Sequence, residues 1–172
     1  MNSTANTYPR AWIGSIAAYN AGQLHGRWVD LDCEVAFEEA CSEILSSSPV
    51  KGEELWAYDT EDLPISGERS PADALRLGLI VEGCPDYPAE AIAHALDHLP
   101  ADADAHAVNR HLEDAFAGTW ESAAEFAEDL VCQTSEIPDH LAHYIDWEKY
   151  ARDLDCVFIQ RDGGGVVAIY TR

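Results

Sequence analysis

A mixed α+β fold is predicted by three observations on this chain. Short runs rich in Trp, Ile and Val near the start alternate with one helical pattern. The middle is a set of short helical patterns punctuated by proline. The end is a pair of β-prone runs joined by a glycine triplet. Together they predict an elongated chain of three small units: an α+β unit over 1–66, a helical unit over 67–107, and a unit over 108–172 of acidic helices ending in a β-hairpin.

In the first unit, 10–16 and 25–31 read as strands, with Asn20 and Gly22 supplying turn residues between them. Asp32 is placed to cap a helix in which Val35, Phe37, Ala40, Cys41, Ile44 and Leu45 recur at helical spacing, and Pro49 closes it. The segment 54–58 reads as a third strand. The Pro- and Gly-bearing loop 64–70 marks a boundary. Ser70 followed by Pro71 opens the next helix, since proline suits the first helical position. A second helix runs between Pro88 and Pro100. A third covers 105–117 and ends at Gly118, read as a left-handed C-terminal residue. In the last unit Ser122 and Glu125 form a capping-box pair, and Pro138 and Asp146 look like helix starts. The runs 156–161 and 166–171, joined through Gly163, Gly164 and Gly165, form a hairpin.

The charge is the feature that needs a function. Thirty-two acids face ten Lys and Arg, giving a net charge of −22. Such a balance disfavours direct nucleic-acid binding, which needs a basic stripe, and favours a basic partner. Composition alone also fits an acid-rich protein of a salt-loving cell. The charge is unevenly placed, however: 77–148 holds sixteen acids and a single base, Arg110. Within it lie Glu113, Asp114, Glu121, Glu125, Glu128, Asp129, Glu136, Asp139, Asp146 and Glu148, with no Lys or Arg from 111 to 148. Between these acids runs an apolar pattern that includes Leu112, Phe116, Trp120, Phe126, Leu130, Ile137 and Trp147. A disordered acidic tail has nothing to bury. This stretch has both a core face and an acid face, so it is expected to fold and hold its carboxylates in place. Those ten acids are the candidate partner-binding surface.

The search for catalytic or metal chemistry singles out no site. His94 and His98 are four apart on a predicted helix, but no third or fourth ligand follows at zinc spacing. His106 with His111, and His140 with His143, show comparable spacings that a chain with seven histidines produces by chance. The glycine triplet lacks the Lys-Ser/Thr end of a phosphate loop. No carboxylate pair is distinguished as a hydrolase dyad. Five cysteines without a Cys-x-x-Cys pair read as reduced structural thiols of a cytoplasmic protein. The first ten residues carry no apolar signal segment, and no apolar run approaches the length of a membrane span. No cofactor, metal or catalytic residue is assigned.

Two blocks of sequence carry a resemblance. RAWIGSIAAYN at 10–20, with 22–31 after it, resembles the start of ArdA-type antirestriction proteins; FAED at 126–129, EIPDHL at 136–141 and YIDWEKYARDL at 144–154 resemble their C-terminal part. The middle, 71–110, is not matched residue by residue. The resemblance implies an acidic, elongated homodimer, carried by mobile genetic elements, that mimics bent DNA. It also implies inhibition of type I restriction-modification enzymes through their DNA-specificity and methyltransferase core, with restriction blocked and, in the wider form, modification as well. Two other readings use the same residues: an acidic module that sequesters another basic DNA-binding protein, and an ordinary halophile protein with no partner.

Overall fold

The computed structural model describes residues 8–171, with the side chains of Asp139 and Ala142 outside the described set. The fold is α+β, with two small three-stranded antiparallel sheets and helices between and around their strands. It divides into two compact units between Asn109 and Arg110.

The first unit begins with β1 (Arg10–Ser15), α1 (Ile16–Asn20), β2 (Gly26–Asp30), α2 (Glu34–Ser47) and β3 (Leu55–Glu61). Its sheet has the order β2-β1-β3. Alternation along β1 turns Ala11 and Ile13 into the core, where they meet Val29, Leu31, Ala57 and the α2 residues Phe37, Ala40 and Ile44. Each fully buried Ile or Leu in such a core contributes about 1.5–3 kcal/mol. The short α1 was not foreseen; it is nucleated by Ser15, whose Oγ accepts the Ala18 N–H at 3.3 Å. Asp32 does not cap α2. The cap position is Cys33, without a side-chain hydrogen bond, because the helix starts one residue later than the Asp32 reading requires.

Next come α3 (Pro71–Gly83), α4 (Ala89–His98) and α5 (Ala105–Ala115), the last crossing the division between the units. Ser70 caps α3 as expected, its Oγ accepting the Asp73 N–H at 3.2 Å. Ala74 of α3 belongs to the same core as the sheet. A Cβ on Gly78 would stand 2.2 Å from the Leu31 Cβ, so this contact requires glycine. Arg76 donates to Asp73 and to the Ala103 carbonyl at 3.0 Å, and Asn109 donates to the Gly83 carbonyl at 2.7 Å. These bonds tie α3 to the start of α5.

The second unit holds β4 (Phe116–Trp120), α6 (Ala123–Thr134), α7 (Asp139–Ala142), α8 (Trp147–Arg152), β5 (Cys156–Gln160) and β6 (Val166–Tyr170). Its sheet has the order β4-β6-β5, with Val166 to Ile169 of the central strand buried. The hairpin is as expected, and Gly164 and Gly165 take φ of 92° and 83°, which other L residues rarely adopt. The helix of 105–117 is shorter than expected. It ends at Ala115, and Gly118 lies inside β4 with φ 136°, at a register irregularity against β6. Pairing with β6 overrides the helical pattern there.

Candidate functional site

The ten acids are spread over α5, α6, α7, α8 and the segments beside them in the second unit. Glu113 and Asp114 are in the last turn of α5; Glu121 follows β4; Glu125, Glu128 and Asp129 are on α6. Glu136 lies between α6 and α7, Asp146 caps α8, and Glu148 is in the first turn of α8. Nine of the ten are exposed; Asp139 starts α7, and its side chain lies outside the described residues.

The reason is clearest on α6. Phe126 and Ala127 are buried, with Leu130 and Val131 half-buried on the same side. At about 100° per residue, Glu125, Glu128 and Asp129 fall on the opposite side. Phe126 anchors the helix edge-on to Trp120 at 4.7 Å and Phe158 at 5.5 Å. The acid stripe is thus attached to a packed aromatic core.

Several carboxylates are held by hydrogen bonds. Ser122 Oγ accepts the Glu125 N–H at 3.1 Å, while Glu125 Oε2 accepts the Glu121 N–H at 2.7 Å. The capping pair therefore closes one residue earlier than in the usual box, onto the residue preceding the cap. Asp129 Oδ2 accepts the Trp120 indole N–H at 3.3 Å, and Asp146 Oδ1 accepts the Lys149 N–H at 2.9 Å. Acids in the first turn of a helix, as Glu125 and Glu148 are, also complement the helix dipole.

Six acids of the preceding segment were not singled out from sequence. Glu82, Asp86, Asp97, Asp102 and Asp104 are exposed, and Glu90 is half-buried. The same charge imbalance from residue 77 onward was the signal that could have included them. The His94 and His98 rings lie 4.4 Å apart with their planes tilted by 45°, and His98 Nδ1 is 2.8 Å from the His94 carbonyl. Among the described residues, no group of three or more His, Cys, Asp or Glu is arranged to hold a metal ion. Among them, too, no helix is long and apolar enough to cross a membrane.

The second unit thus presents exposed carboxylates, several of them hydrogen-bonded, on a small α+β scaffold. The family model for the antirestriction protein ArdA matches residues 11–166, and the chain belongs to that family. No curated individual protein matches it. Membership implies an antirestriction function, exerted by an inhibitor acting on restriction enzymes.

Proposed function

We propose that the chain inhibits type I restriction-modification enzymes as a mimic of duplex DNA, occupying the DNA channel of the specificity and methyltransferase core. The observation that carries this reading is the stripe of Glu125, Glu128 and Asp129 on the solvent side of α6, continued by Glu121 and with two of its carboxylates hydrogen-bonded. Duplex DNA presents one negative charge per about 1.7 Å of axis. On a helix rising about 1.5 Å per residue, three acids within five residues reach a comparable linear density. The net charge of −22 equals that of about 11 base pairs. Carboxylates carry no base edges, so the mimic competes for the backbone-binding part of the channel, whatever sequence the enzyme reads.

In this proposal the working form is an elongated homodimer in the cytoplasm, where its free thiols stay reduced and its target enzymes act. A finer division into 1–66, 67–107 and 108–172 is also part of it, with 64–70 as the first connection. Limited proteolysis that cuts first within 64–70 supports that division. The test of function is a titration against duplex DNA for a purified type I methyltransferase core. Displacement of DNA that weakens with salt is expected. Binding that leaves DNA in place contradicts the proposal.

A further inference from the structure

The first unit carries an aromatic face that the acidic surface does not explain. Ala11, Ile13 and Ala57 turn toward α2 and α3, so the residues alternating with them turn to the other side of the sheet. Trp12 lies directly across from Trp28, and Trp56 is paired with Gly14. A bulge beside Trp12 brings Tyr58 onto the same side, edge-on to the Trp12 ring at 5.8 Å. Tyr19 extends the row, 4.9 Å from Tyr58 and 56% exposed. The glycines keep it flat: a Cβ on Gly14 or Gly26 would strike the Trp12 indole.

This face already holds one guanidinium. Arg10 lies over the Trp28 ring at 5.1 Å and is oriented by Glu61, which accepts its Nε–H at 2.7 Å. Asp59, opposite Trp12 in the register, is exposed, and burial, followed by Tyr19 and then the Glu68 charge, holds the Tyr58 phenol above its ordinary range. Aromatic rings bordered by carboxylates are a receptor for arginine: the ring takes the planar cation and the acids take its N–H groups.

We propose that this face is a second docking surface, which takes arginine side chains presented by the protein partner. It rests on the reading that the partner is a basic, DNA-binding protein. The occupant is set by charge complementarity and by the arginine already seated on Trp28. A nucleic acid is disfavoured by the acids around the rings.

The five tryptophans allow a direct test: Trp12, Trp28 and Trp56 report on this face, while Trp120 and Trp147 report on the acidic unit. A blocked short peptide with two arginines is titrated into the full chain while the five indole N–H resonances are followed. The Trp12, Trp28 and Trp56 signals are expected to shift together, with an affinity roughly three-fold above that of the lysine counterpart. Tyr58→Leu should reduce those shifts without moving the response of Trp120 and Trp147. Shifts confined to Trp120 and Trp147, or equal response to lysine, overturn the proposal. Loss of the free face on self-association, seen by sedimentation, or on comparison with a chain lacking residues 1–7, also overturns it by assigning another occupant. Failure of DNA competition with these shifts intact would count against the mimic reading alone.

Discussion

The two units carry nearly the same charge per residue and arrange it differently. Up to Asn109 there are 19 acids and 5 bases; from Arg110 there are 13 acids and 5 bases. In the first unit, bases serve as internal clips. Arg10 meets Glu61 across β1 and β3, Arg27 meets Glu43 between β2 and α2 at 2.7 Å, and Arg69 and Arg76 both reach Asp73. In the second unit, all five bases fall outside 111–148, leaving that stretch purely acidic. Segregation of charge, more than its amount, distinguishes the candidate binding surface. The exposed Arg10–Glu61 and Arg27–Glu43 pairs contribute only about 0–1 kcal/mol each, so they guide local geometry more than they stabilise it.

The largest effect is expected from releasing the acids without changing a charge. Phe126→Ala removes the ring shared by Trp120, Phe158 and Tyr170, at a cost of about 3–5 kcal/mol. Thermal unfolding should show the second unit melting far earlier, and DNA competition should fall with it although every carboxylate remains. The converse is Gly78→Ala, whose Cβ collides with Leu31 and should cost about 1–3 kcal/mol in the first unit. Calorimetry should then show destabilisation with the Trp120 and Trp147 indole environments unchanged.

A smaller effect sharpens the role of anchoring. Ser122→Ala removes the cap of α6 and should cost about 1 kcal/mol. Amide exchange should quicken in the first turn of α6, and competition should weaken slightly through a less fixed Glu125. The smallest effect concerns thiols. Burial raises the pKa of Cys41, Cys84 and Cys156, leaving less thiolate at neutral pH, whereas Cys33 and Cys132 are exposed. Mass spectrometry after brief alkylation should find Cys33 and Cys132 modified first and Cys84, 1% exposed, last.

Much of this was legible in the sequence because the signals are local. The Phe37, Ala40 and Ile44 spacing gave α2, Ser70 with Pro71 gave the start of α3, and the glycine triplet gave the last hairpin. The exposure of nine acids followed from the apolar positions between them. What escaped was set by distant partners. β4 follows Ala115 without a break, and only its pairing with β6 makes 116–120 a strand. Gly118 was therefore misread as a helix end. The anchoring of Asp129 by Trp120 depends on that same strand, so the rigidity of the site was less visible than its charge.

In the proposed function, segregated, fixed carboxylates of the second unit carry binding. Two variants of equal charge separate this role from that of net charge. One changes Glu121, Glu125, Glu128 and Asp129 to their amides; the other changes Glu34, Glu38, Glu39 and Glu53, all exposed in the first unit, to Gln. Both lose four negative charges, and circular dichroism establishes that each remains folded. With exposed carboxylates each contributing up to about 1 kcal/mol, the first variant should compete with DNA roughly ten-fold less well. The second should stay within about two-fold of the unaltered chain, since its acids lie outside the stripe and act only through long-range, salt-screened attraction. Equal losses in the two variants would show that net charge alone governs binding and would contradict a special role for the stripe.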